Sequence, residues 1–158
     1  MKYLLLRNAA RGKGDFIMDI GMIGTGLCMC IAAIGSCIGV VIAGTTCIGA
    51  WKKCYMSNKA APFILTSFAG APLTQTIYGF LLMQTMQGSS ADPLLKLCMG
   101  IGAGVAIAFS AIIQGKAGAA GADAMAETGK GFAQYITVVG LCETIALFVL
   151  VFSMVALG

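Results

Sequence analysis

The chain has 158 residues, 59% of them hydrophobic and only 10% charged, with no histidine, and its mean hydropathy is +0.93. A soluble domain carries about 25% charged residues, so this composition excludes one and points to an integral membrane protein. The net charge of +4 sits in the loops and identifies no partner, and no nucleic acid is expected to bind.

The first fourteen residues, MKYLLLRNAARGKG, are basic, and their apolar piece YLLL is too short for a signal-peptide core. Met18 and Met22 are alternative starts, and residues 1–17 are expected to be an extension outside the fold. A first apolar stretch covers about residues 15–50. WKKCYMSNKAAP (51–62) is a basic turn ending in Pro62. A second stretch covers 60–87, and QGSSADP (87–93) is a short polar turn ending in Pro93. A third covers 94–126, AETGKG (126–131) is a turn punctuated by glycine, and a fourth covers 132–157. Each exceeds the roughly 20 residues that cross hydrocarbon. Only helices and closed barrels satisfy the backbone in lipid, and no period-two alternation supports a barrel. The expected fold is an all-α membrane protein of four transmembrane helices. They form two helical hairpins, 18–87 and 88–158.

The two hairpins resemble each other. Gly39 over Gly115 sets IAAIGSCIGVVIAG on IAFSAIIQGKAGAA, and Gln75 over Glu143 sets QTIYGFL on ETIALFV. The matches fall in the same order in both halves, which reads as duplication of one hairpin. Where the copies differ, Gln75 occupies the place of Glu143, and Ile38 occupies the place of Gln114. One unit kept a carboxylate and the other has a neutral amide.

Glycine accounts for 22 residues, dense in the first and third helices, where GSCIG (35–39) and GIGAG (100–104) are both G-x-x-x-G. Glycine inside a helix costs about 1 kcal/mol relative to alanine in water, whereas in a membrane small residues let helices approach closely. A tight inner layer of the first and third helices is expected, with the second and fourth outside. The seven cysteines lack zinc-like spacing and read as small packing residues.

Of the six acidic residues, only Glu143 is surrounded by apolar sequence. At 1.5 Å per residue it lies about 16 Å from the start of its helix and about 21 Å from the end, near the middle of a bilayer. An intramembrane carboxylate is costly when charged and unpaired, and marks an ion or proton site by default. The alternative is a protonated structural residue bonded to a neighbouring helix.

A second polar group stands in APLTQTIYGF (71–80). Thr74, Gln75 and Tyr78 have the spacing to face one neighbour. Pro72 leaves the carbonyl near residue 68 without its helical donor, and the loosening turns nearby carbonyls, such as that of Ala71, toward a ligand. Gln114 adds an amide from the third helix. A proton site needs only the carboxyl and its surroundings, whereas a dehydrated cation needs several oxygens in place of water. The collected oxygens therefore favour a small hard cation. Taken singly, Thr74 or Gln114 reads as interhelical glue. The interval from Lys96 to Lys116 matches one bilayer core, at about 30 Å; it would place Gln114 at the membrane edge.

These residues resemble the four-helix c-ring proteolipid, or subunit K, of V/A-type rotary ATPases. The likeness covers about residues 18–158. It rests on P-x-T-Q-x-x-Y-G (Pro72, Thr74, Gln75, Tyr78, Gly79), on F-S-x-I-x-Q-G-K-x-x-A-A-G (Phe109 to Gly121), and on Glu143-Thr144. The pattern is similar to the sodium-translocating bacterial type. The resemblance implies a homo-oligomeric ring with one Na+ per subunit, held by Glu143, Gln114, Gln75, Thr74 and the backbone carbonyl of Ala71. Tyr78 would lock the site through Glu143. It also implies a stator subunit with an essential arginine, a central-stalk subunit on the cytoplasmic side, surrounding lipid, and a bacterial inner (cell) membrane. Ala71 departs from the bulkier residue of the family, and the segment 40–58 is unlike the usual loop that meets the stalk.

No catalysis by the chain alone is expected and no cofactor. GKAGAAG (115–121) lacks the G-x-x-x-x-G-K-[ST] order of a phosphate-binding loop. The resemblance places both termini outside and the hairpin loops in the cytoplasm. Lys52, Lys53, Lys59, Lys116 and Lys130 agree with the positive-inside rule, while Lys2, Arg7, Arg11 and Lys13 oppose it. Residues 1–17 are therefore expected to be a misassigned start or a processed leader; intact Met1 in the assembled protein, seen by mass spectrometry, would count against this. The competing functions are the same rotor carrying H+, a stand-alone small cation transporter built from repeats, and a structural membrane protein.

Overall fold

The computed structural model describes residues 20–158, together with the backbone alone of residues 2–19, so the expected extension at 1–17 lies outside the fully described residues. The chain is all-helical: α1 (Lys2–Met56), α2 (Thr66–Gly70), α3 (Thr74–Gly88), α4 (Pro93–Thr128) and α5 (Phe132–Leu157). Among the described residues three helices are long and apolar enough to cross a membrane, Ile20–Met56, Pro93–Thr128 and Phe132–Leu157.

The second expected span is built differently from the other three. Instead of one helix over 60–87 it is a succession of turns: a 3₁₀ turn at Phe63–Leu65, α2, a second 3₁₀ turn at Ala71–Leu73, then α3. Pro72 is the physical cause of the second 3₁₀ turn. It has no N–H to offer the carbonyl of Phe68 and its ring crowds the preceding turn, so the backbone tightens to i→i+3 bonding there. The whole run from Phe63 to Gly88 is about 39 Å long at helical rise, which still suffices to cross a bilayer core of about 30 Å.

The connections follow local chemistry. Asp92 caps α4, its carboxylate accepting from Leu94 N at 2.8 Å and Leu95 N at 3.3 Å, with Pro93 in the first turn. These bonds satisfy amide groups that a helix start leaves without partners. Gly129 ends α4 at φ 67° and Gly131 precedes α5 at φ 89°, left-handed conformations that glycine adopts without a steric cost. The loop after α1 is pinned by Trp51 Nε1, which donates to Pro62 O at 2.8 Å. At the same end Lys53 Nζ meets Asp123 at 2.9 Å and Glu127 at 3.6 Å, joining the last turns of α1 and α4.

The glycine-rich helices do form the tight pair. A Cβ on Gly100 would stand 2.0 Å from Gly24 O, and one on Gly115 would stand 2.3 Å from Gly39 O. No side chain larger than hydrogen fits either place without moving a backbone. α5 is the most outward helix, with Phe148, Phe152 and Val155 exposed.

The cysteines divide. Cys28, Cys47 and Cys54 are buried packing residues, as expected, whereas Cys30, Cys37 and Cys98 are exposed on this chain. The exposed ones fall between the buried positions of α1 and α4, on faces turned away from the rest of the chain.

Candidate functional site

Glu143 lies near the middle of α5, and both of its carboxylate oxygens accept a hydrogen bond. Tyr78 Oη on α3 donates to Oε1 at 2.5 Å, and Gln114 Nε2 on α4 donates to Oε2 at 3.3 Å. Three helices therefore converge on one acid. The tyrosine bond is short, as expected of a hydroxyl donating to a carboxyl oxygen. Among the described residues the ion pairs of the chain are those of Lys53, so no basic side chain pairs with Glu143.

Gln114 sits at the centre of the cluster and is fully buried. Its Nε2 also donates to Val139 O at 3.2 Å, and its Oε1 accepts from Gln75 Nε2 at 2.6 Å. Gln75 is likewise fully buried, and its Oε1 accepts from Thr74 Oγ1 at 3.3 Å. Gln114 and Glu143 stand at one level along the helices, bonded at 3.3 Å. Lys116 lies inside α4 rather than at its end. α4 continues through 36 residues, about 54 Å, well beyond the hydrocarbon thickness.

The Ala71 carbonyl lies beside these groups, in the 3₁₀ turn that Pro72 causes. It accepts from Thr74 Oγ1 at 3.0 Å and from the Thr74 backbone N–H. The sequence predicts a loosened carbonyl here; in the fold both of its bonds come from its own turn. The carbonyl freed by Pro72 is that of Phe68, and it lies against Gly118, where a Cβ would approach it to 2.7 Å.

The fold thus brings together every residue singled out from the sequence: Ala71, Thr74, Gln75, Tyr78, Gln114 and Glu143. Sequence reasoning missed Ser110, whose Oγ donates to Cys142 O at 2.7 Å beside Glu143. Ser110 precedes Gln114 by one helical turn, and that spacing was the available signal. The Val139 carbonyl was also missed, since no side-chain pattern announces it.

The chemistry of the cluster is that of oxygen ligands. It offers one carboxylate, two carboxamides, a threonine hydroxyl and a backbone carbonyl. Among the described residues no group of three His, Cys, Asp or Glu side chains gathers as a metal centre, so a transition-metal site has no support. Hard, weakly held cations are the class that oxygen ligands suit.

The family model for the C subunit of ATP synthase matches residues 97–156, a region that carries Gln114 and Glu143. The chain is also similar to the A-type ATP synthase subunit K of Methanocaldococcus jannaschii, 34% identical over 140 residues, covering 87% of this chain and 61% of that protein. The chain therefore spans about three fifths of the length of that relative.

Proposed function

We propose that the chain is the membrane rotor proteolipid of a rotary ATPase or ATP synthase, and that it carries one Na+ per subunit as a ring of copies turns. The observation that carries this reading is the lone carboxylate of Glu143, held on both oxygens by groups from two other helices and joined to a cluster of further oxygens. A proton site would need only the carboxyl. Glu143, Gln114, Gln75, Thr74 and the Ala71 carbonyl supply the several oxygens that replace a sodium ion's water. Tyr78 holds Glu143 in the position that closes the site.

Charge gives the mechanism. A carboxylate with one bound Na+ is neutral, so a loaded site turns past lipid without the cost of a bare charge. At the stator an arginine of another subunit attracts Glu143 and releases the ion into a half-channel. The exposed apolar side chains Ile34, Phe109, Phe148, Phe152 and Val155 suit contact with neighbouring copies and with lipid. Lys52 and Lys53 at the end of α1 and Lys59 in the loop after it suit a cytoplasmic face that meets a central stalk, in a bacterial inner membrane. The chain alone performs no catalysis, and ATP chemistry belongs to other subunits.

One observation favours H+ instead. Gln114 Oε1 and the Ala71 carbonyl are already hydrogen-bonded within the cluster, and Tyr78 and Gln114 serve a proton site equally well by orienting the carboxyl. Carbodiimide, which attacks a protonated carboxyl, separates the two. Glu143 is labelled in the purified ring at fixed pH with and without sodium. Protection by sodium supports the cation reading; labelling that follows pH and ignores sodium establishes the proton. A single-chain or dimeric species on a native gel, in place of a ring, would favour the stand-alone transporter.

A further inference from the structure

Ser36 is buried, at 2% exposure, yet its hydroxyl has no hydrogen-bond partner among the described residues. A serine inside a helix ordinarily returns its hydroxyl to a carbonyl one turn back. Thr25, Thr45, Thr46, Thr85 and Thr137 all do so here. Ser36 does not, and an unsatisfied buried hydroxyl is rare enough to require a reason.

The packing of α1 against the second span locates it. A Cβ on Gly39 would meet Pro72 Cβ at 2.8 Å, and one on Gly79 would meet Ala32 Cβ at 2.6 Å. Ser36 lies one turn from both Ala32 and Gly39, and Gln75 lies one turn from both Pro72 and Gly79. Ser36 and Gln75 therefore stand at the same level across this interface. Gln75 carries a carboxamide with two N–H groups. Its Nε2 donates to Gln114 Oε1, and the second N–H has no acceptor among the hydrogen bonds of the described residues.

We propose that Ser36 is a positioning residue of the ion site, whose hydroxyl accepts an N–H of the Gln75 carboxamide when the amide oxygens of Gln75 and Gln114 turn to a bound cation. This rests on the cation reading of the site. The electrostatic reason is direct. While Gln75 Nε2 donates to Gln114 Oε1, the positive end of an N–H dipole occupies the oxygen that the cation requires. A carboxamide is nearly symmetric in shape, so its oxygen and nitrogen ends are distinguished only by their hydrogen bonds. An acceptor on the α1 side, away from Gln114 and Glu143, fixes which end faces the ion. Ser36 is the unused acceptor at that level.

The test is a double-mutant cycle in the complete ring. Sodium protection of Glu143 from carbodiimide is measured in wild type, Ser36→Ala, Gln75→Ala and the double variant. Ser36→Ala is expected to raise the sodium concentration for half protection by about 5-fold, the scale of one lost hydrogen bond. In the Gln75→Ala background, adding Ser36→Ala is expected to change nothing, and ring stability on a native gel is expected to stay as in wild type. An unchanged half-protection point in Ser36→Ala, or the same shift with Gln75 absent, overturns the proposal. If Ser36→Ala fails to assemble, Ser36→Cys replaces it, filling the site with a somewhat larger and much weaker acceptor. Should wild-type labelling ignore sodium, the cation reading fails on its own. The Ser36–Gln75 link is then read from the labelling rate at one fixed pH: an effect of Ser36→Ala present only with Gln75 supports the link, and no effect refutes it.

Discussion

Replacing Tyr78 by phenylalanine removes one oxygen and keeps the ring, which packs against the buried apolar cluster that includes Leu82 and Ala146. The lost bond is the one from Tyr78 Oη to Glu143 Oε1 at 2.5 Å. A hydrogen bond to a charged group contributes about 1.5–3 kcal/mol, and each 1.4 kcal/mol is about tenfold in an equilibrium. Glu143 is only partly buried in the single chain, which argues for the lower end of that range, about tenfold. Gln114 continues to hold Oε2 at 3.3 Å, so the carboxylate loses one of two restraints rather than both. The assay is carbodiimide labelling of Glu143 in rings of verified assembly, titrated with sodium. Tyr78→Phe is expected to need about ten times more sodium for half protection and to label faster without sodium. If both the half-protection point and the labelling rate equal those of wild type, Tyr78 does not hold the site closed, and the reasoning from this bond is wrong.

Glu143→Gln keeps the shape but removes the charge and turns one of the two acceptor oxygens into a donor; rings are expected to assemble on a native gel while carbodiimide labelling in the membrane and ion transport are both lost, and retained transport would remove Glu143 from the mechanism. Gly100→Val places a side chain where even a Cβ would stand 2.0 Å from Gly24 O. Overpacking of this kind costs about 1–3 kcal/mol or more, and thermal unfolding in detergent is expected to show a clear loss, with no loss refuting the close α1–α4 contact. Asp92→Ala removes the acceptor for two amide groups at the start of α4. It is expected to destabilise the hairpin connection by about 1 kcal/mol, read as faster hydrogen exchange at Leu94 and Leu95, with no effect on sodium protection.

The site is legible in the sequence because its chemistry is foreign to its surroundings. A carboxylate within YITVVGLCETIALFVLVF has no inexpensive place to be, and two amides and a tyrosine in otherwise apolar helices stand out for the same reason. The close pairing of α1 and α4 is legible from glycine density. What escapes is whatever depends on register between helices. Two lysines spaced by one bilayer core suggest a span ending near Gln114, whereas α4 extends past the second of them. Ser36 carries no local signal, since serine is an ordinary small residue in a membrane helix, and Ser110 is marked only by its one-turn spacing from Gln114. Only the facing helix reveals that one hydroxyl is bonded to Cys142 O and the other to nothing. The break at Pro72 is half legible: proline announces the lost bond, but not that the chain tightens on both sides of α2.

The repeat and the site meet at one place. Gly39 and Gly115, equivalent in the sequence repeat, touch each other: a Cβ on Gly115 would lie 2.5 Å from Gly39 Cα. The other equivalent pair, Gln75 and Glu143, is joined through Gln114, which accepts from the first and donates to the second. The two positions that the sequence repeat aligns therefore converge on a single bridging amide instead of facing separate neighbours. Two carboxylates so placed would share one dry region, where like charges oppose joint ionisation and force one acid to keep its proton. An amide at position 75 removes that conflict. It gives an N–H to Gln114 while adding no charge, so a single negative charge would remain for the single ion of the proposed site to balance. An amide rather than a second acid at position 75 is, on this geometry, what would let both hairpins contribute to the proposed site.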